Sequence, residues 1–174
     1  MSNFFERVTG DQDPIKKLAS YIPGFKGYVE RENRRAADKL MRDTIARRFE
    51  ELYKRLSALQ VDLINQGGIE YVDDLEKAAL LMRTFTDKVR NATYGYSGLF
   101  DAVKINEDEL AKIYAYDAAF FDTADAIKNA IDTLEATLSN TEGLPAVIRN
   151  LVTLTRQAVD AFDRRYEVFS GTPK

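Results

Sequence analysis

The sequence predicts an all-α protein, an up-down-up-down four-helix bundle with a short extra N-terminal helix. Three observations carry this. Apolar residues recur at helical spacing through most of the chain, and nowhere with the period of two that marks a half-buried strand. Proline and glycine fall in a few clusters that cut the pattern into segments. The 174 residues, 45% apolar and 30% charged, suit one well-formed core, whereas two halves would each be marginal. We therefore expect residues 1–27 to form an N-terminal segment and residues 28–170 a single bundle domain.

Each element follows in order. Asp13 before Pro14 reads as an N-cap with proline at the first helical position. The helix "PIKKLASY" must stop near Ile22, because Pro23 pushes its predecessor toward extended geometry. "IPGFKGY" is then a turn with two glycines. A second helix is expected from about Tyr28 to Gln66, ended by Gly67-Gly68. Its apolar stripe is Ile45, Phe49, Leu52, Leu56, Leu59 and Leu63, the a/d spacing of a packed helix. Acid-then-base pairs at i,i+4 lace its outer face: Glu30–Arg34, Asp38–Arg42, Asp43–Arg47, Glu50–Lys54 and Glu51–Arg55.

A third helix is expected from Ile69 to Asn91 or Tyr94, with Val72, Leu75, Ala79, Met82, Thr86 and Val89 inward. "YGYSGLFDAVKI" reads as a loop. The fourth helix opens at "NEDE", where Asn106 caps and Glu109 can close a capping box, and runs to about Asn140. The fifth starts near Pro145 with Ile148, Leu151, Thr155, Ala158, Phe162 and Arg165 on its stripe, and Gly171 can supply a left-handed cap. Lengths of roughly 39, 25, 34 and 26 residues make the second helix too long for its partners at 1.5 Å per residue. Its charged start, "YVERENRRAADK", should project past the bundle or be covered by the N-terminal segment.

Composition excludes several chemistries. There is no cysteine, hence no disulfide, thiolate metal site or thiol nucleophile. There is no histidine, the commonest general base and metal ligand. A di-iron bundle needs Glu-x-x-His motifs, so the expectation is a chain without metal or cofactor, and not an enzyme. "GDQDP" lacks the later glycine and closing glutamate of a calcium loop. No Walker loop or dinucleotide fingerprint is present. Net charge is −3, and the basic stretch 30–55 interleaves nine cations with six acids, so nucleic acid is not expected as a partner. No apolar run reaches the ~20 residues of a membrane span. The N-terminus lacks the pattern of a secretory signal. A cytoplasmic location is the expectation. Phe4, Phe5 and Val8 could at most make a weak peripheral membrane contact.

One helix carries a puzzle. Leu110, Ile113, Phe120, Ala124, Ile127, Ile131, Leu134 and Leu138 form its stripe, yet Asp117 occupies a core position within it. Arg165 interrupts the fifth helix in the same way, and Asp38 with Arg42 extend the second helix's stripe backward. Antiparallel order would gather all of them at one end of the bundle. A lone buried carboxylate is very costly. We therefore expect Asp117 to accept hydrogen bonds from Arg165, from Arg42 or from a tyrosine hydroxyl, with a ligand-facing role as the alternative. Asp122, Asp125 and Asp132 fall mostly off the stripe and read as a solvated acidic face.

The same end collects 13 of the 19 aromatics. The residues expected to bind there are Phe25, Tyr28, Tyr94, Tyr96, Phe100, Tyr116, Asp117, Tyr166 and Arg165. Phe25, Tyr94, Tyr96 and Phe100 are the candidates for exposed loops, where tyrosine beside glycine suits recognition. The expected function is a non-enzymatic helical-bundle interaction protein, an adaptor or scaffold component with a protein partner or self-association. The alternative is a small-molecule or lipid binder whose pocket lies among these aromatics around Asp117 and Arg165.

Overall fold

A computed structural model describes residues 13–27, 34–92, 107–139 and 141–170. The described elements are all helical: α1 (Pro14–Tyr21), α2 (Arg34–Asn65), α3 (Val72–Asn91), α4 (Glu107–Thr137) and α5 (Leu144–Ser170), with single 3₁₀ turns at Ile69–Tyr71 and Thr141–Gly143. No strand occurs among the described residues.

Local chemistry sets the boundaries. The Asp13 carboxylate accepts from the Ile15 N–H at 3.1 Å, Pro14 stands at the start of α1, and the chain turns extended at Ile22 before Pro23. At the other end of α2, Gly67 adopts φ +86°, where an L side chain would be strained. The Gly68 N–H then reaches Leu63 O at 2.9 Å and the Gly67 N–H reaches Ile64 O at 3.0 Å. These two bonds satisfy carbonyls the helix end leaves open. A Cβ on Gly68 would lie 2.5 Å from Leu63 Cδ1, so both glycines are needed there.

The predicted stripes form one core. Ile45 through Leu63 on α2, Ile113 through Leu138 on α4 and Ile148 through Arg165 on α5 are buried at every stripe position, and only Leu110 and Val72 are half-buried. Thr86, Thr123 and Thr155 are buried hydroxyls that donate to the carbonyl one turn back, at Met82, Ala119 and Leu151, which makes them acceptable in an apolar core. Phe49, Phe85, Phe120 and Phe162 meet at its centre, with ring centroids 4.0 Å apart for the closest pair and 5.7–5.9 Å for the others.

The principal packing pairs are α2 with α3, α3 with α5, α5 with α4, and α4 with α2, while α1 lies on α4. The helices α3 and α4 are consecutive in sequence but are not a principal pair. Two expectations for α2 meet the structure only in part, because residues 28–33 lie outside the described residues. Over its described residues α2 has 32 residues against 31 for α4, so its described part does not outrun its partner. The described part of its charged start does not project either, because Arg34, Ala37, Asp38, Met41 and Arg42 are buried. No helix among the described residues is long and apolar enough to cross a membrane.

Candidate functional site: a sealed ionic layer and an outer groove

Four charged side chains from three helices meet inside the bundle. Arg165 Nε donates to Asp117 Oδ1 at 2.7 Å and its Nη2 donates to Asp117 Oδ2 at 3.0 Å. The same Nη2 donates to Asp38 Oδ1 at 2.8 Å. Arg42 Nε donates to the other oxygen of Asp38 at 2.8 Å, and its Nη1 reaches Val89 O on α3 at 3.1 Å. Asp117 and Arg165 are fully buried, and Asp38 and Arg42 are 3% and 4% exposed. In the bonds among these four residues, two guanidiniums alternate with two carboxylates. Of the partners expected for Asp117, the structure supplies Arg165; Arg42 reaches it only through Asp38 and Arg165.

The Asp38–Arg42 pair expected on the outer face is therefore internal. Sequence spacing alone does not distinguish the two, since an i,i+4 pair forms equally well on a buried face. Glu50–Lys54 forms on the surface, at 3.7 Å. Arg55 instead crosses to α4, where it bonds Asp132 and Glu135.

The other nominated residues separate into two groups. Phe25 is 9% exposed rather than an open loop tip, because the Pro23-Gly24 turn folds its ring edge-on against Tyr114, centroids 6.3 Å apart. Tyr116 is buried, and its hydroxyl donates to Ala161 O at 2.7 Å. Tyr28, Tyr94, Tyr96 and Phe100 lie outside the described residues, as do Phe4, Phe5 and Val8 and the side chain of Tyr166.

The acidic face of α4 is not simply solvated. Asp122 takes Lys17 of α1 at 2.6 Å. Asp125 accepts from the Tyr21 hydroxyl at 2.6 Å and from Arg48 of α2, whose guanidinium also lies 5.1 Å from the Tyr21 ring centroid. Asp132 takes Lys128 and Arg55, and these bonds, that from Lys128 first, hold its carboxyl below the usual carboxylate range. Burial first, and then the bond to Asp125, push the Tyr21 phenol up to about 12. Among the described residues no group of three or more acids is gathered to hold a metal ion.

A groove that the sequence did not indicate lies outside the ionic layer, between α2, α4 and the turn after α1. It encloses about 630 Å³. Pro23, Leu40, Thr44 and Leu52 supply its less polar wall. Among the described residues, Arg47, Arg48, Arg55 and Lys128 stand around it with one acid, Glu51. On α2 the lining residues 40, 44, 47, 51 and 55 fall at three- and four-residue steps, a second stripe beside the core one. Of the nominated residues that are described, Phe25, Tyr116, Asp117 and Arg165 do not line it. At the Gly67-Gly68 end, where only Tyr71 stood out in the sequence, Val61, Ile64 and Ile69 are exposed.

Comparison with protein-family models, with curated proteins and with solved structures finds no match for this chain.

Proposed function

We propose that this chain is a non-enzymatic interaction protein of the cytoplasm, an adaptor or scaffold component built on an up-down-up-down four-helix bundle. Two observations support the directions of the helices. Arg48 meets Asp125 and Arg55 meets Asp132, a step of seven residues on both helices in the same sense, as parallel helices require. Arg42 near the start of α2 meets Val89 near the end of α3, and Arg165 near the end of α5 meets Asp117 near the start of α4, as antiparallel helices require. In this topology α2 and α4 run one way, and α3 and α5 the other.

The observation that carries the functional reading is the closed ionic layer. Asp117 and Asp38 are the described core carboxylates that could have served as a base, and both oxygens of each are engaged by Arg165 or Arg42 away from water. A general base must be within reach of the proton it removes. The layer's chemistry is thus spent on joining α2, α4 and α5, and contact with other molecules falls to the outer surfaces and bundle ends. The aromatic-rich end, with Tyr96 and Phe100, is the proposed contact surface for a protein partner or a second copy, since a few aromatic anchors usually dominate such binding.

The test uses affinity capture by the tagged protein from its own cell extract, with partners identified by mass spectrometry. Tyr96→Ala with Phe100→Ala should weaken capture by at least about tenfold, or about 1.4 kcal/mol, while the helical circular dichroism stays unchanged. Substitution of Leu144 should not serve as the control, because it is fully buried. Exposed Ile69→Ala, at the opposite end, is the appropriate one. Normal capture by the folded double variant, with loss in Ile69→Ala, would sink the reading.

A further inference from the structure

We propose that the outer groove binds an amphiphilic carboxylate: an apolar chain ending in a single anionic group. Its volume of about 630 Å³ lies within the range of about 300–1,000 Å³ in which small-molecule sites fall. Leu40, Leu52 and Pro23 give an apolar wall for a hydrocarbon body. The polar side of the groove presents cations, and Arg48 and Arg55 are held in place before any ligand arrives.

That pre-positioning comes from α4. Arg48 is fixed by Asp125 and by the Tyr21 ring, and Arg55 by Asp132 and Glu135. None of these three carboxylates lines the groove. A guanidinium has five N–H donors, so a pair made on one side leaves donors for another acceptor. Side chains already ordered cost less entropy when a ligand binds. Arg47 differs from the others: it is exposed and makes no ion pair among the described residues. Among the described groove cations it is the one whose donors no carboxylate takes, so it can receive a single anionic group. Glu51 on the same rim disfavours a ligand with several. The proposal uses none of the nominated aromatics, so it stands or falls independently of the interaction reading.

Isothermal titration calorimetry of the full chain with dodecanoate, below its micelle concentration, tests the proposal. The expected result is saturable binding of one dodecanoate per chain. Dodecyltrimethylammonium, with the same tail and opposite charge, should bind at least about tenfold more weakly, and acetate should give no heat, because one charge without a tail is too little. Arg47→Glu should weaken dodecanoate at least about tenfold. Lys39→Glu makes the same charge change at an exposed α2 position outside the groove, and should leave the affinity within about twofold. Thr44→Phe, which fills the groove, should abolish binding. Should that variant unfold, Arg47→Glu still decides, because the side chain is exposed. Phosphatidylcholine vesicles with and without oleate separate a free carboxylate from a membrane-held one; binding to oleate vesicles without binding to free dodecanoate would overturn the proposal. So would equal affinity for the cationic amphiphile, or equal losses in Arg47→Glu and Lys39→Glu.

Discussion

Arg165 is the side chain on which the charge balance of the core turns, since it donates to two carboxylates from two other helices. Breaking a buried ion pair by removing one partner costs about 3–5 kcal/mol, because the remaining charge is desolvated without compensation. Asp117→Ala leaves Arg165 with Asp38, and chemical denaturation should register a loss at the lower end of that range. Arg165→Met removes the donor to both Asp117 and Asp38 and should cost more. Asp117→Leu combined with Arg165→Met removes both ends of the pair while Asp38 keeps Arg42, so the double variant should lose much less than the two single losses added together. Simple additivity would mean the two side chains do not interact energetically. Tyr21 gives a second test at this scale. Its phenol is raised to about 12 in the folded protein, against the ordinary 10.0. Between those values the unfolded chain has already lost the proton that the folded chain keeps, so the stability this group supplies is whole below pH 10 and falls away as pH rises toward 12. Phenolate absorbance should show a late-titrating tyrosine that Tyr21→Phe removes. In the same variant, the alkaline loss of stability should be shallower than in the parent; an unchanged alkaline profile would contradict the burial of that hydroxyl.

Helix α1 and its turn are anchored as one unit on α4. Leu18 and Ile22 are fully buried, the Tyr21 ring stacks on Phe121 with centroids 4.9 Å apart, and Lys17 and Tyr21 bond the two acids beside it. The turn that follows needs two left-handed glycines, Gly24 at φ +81° and Gly27 at φ +85°. They are not equivalent. A Cβ on Gly24 meets nothing within 4 Å, whereas one on Gly27 lies 2.7 Å from the hydroxyl of buried Tyr114. Gly24→Ala should cost about 1–2 kcal/mol from backbone strain alone. Gly27→Ala should cost more, because Tyr114 must also shift, and thermal melting of the pair should rank them in that order. The boundaries of α1 and the core stripes of α2, α4 and α5 were readable in the sequence, because capping residues and helical periodicity act locally. The second buried face of α4 was not. Tyr114 and Phe121 lie off its stripe, and the docked α1 and its turn pack Phe25 and Tyr21 against them. Nor was the groove readable, since Leu40, Thr44 and Arg47 lie off the core stripe among charges. Periodicity states which face of a helix turns inward, but not which neighbour stands beside it.

Across the whole molecule, charge is segregated along the chain and recombined by the fold. Residues 30–55 carry a net +3 and residues 101–142 a net −7. On one molecule such an asymmetry would suggest that copies associate basic helix to acidic helix. The fold offers a shorter route, because α2 and α4 are packing partners and their charges meet as Arg48–Asp125, Arg55–Asp132 and Arg55–Glu135. These pairs are partly exposed, so each adds little and each is open to screening. Raising the salt from about 0.1 M to about 1 M shortens the screening length from about 10 Å to about 3 Å. The parent protein should then lose more stability than Arg55→Ala, which lacks two of the three pairs from the outset; an equal response would show that the pairs contribute nothing measurable. Because the same charges are engaged within the chain, they are not free to join copies. Sedimentation velocity should therefore report the same association state at both salt concentrations. An oligomer present at low salt that dissociates at high salt would mean that α2 and α4 exchange these partners between chains.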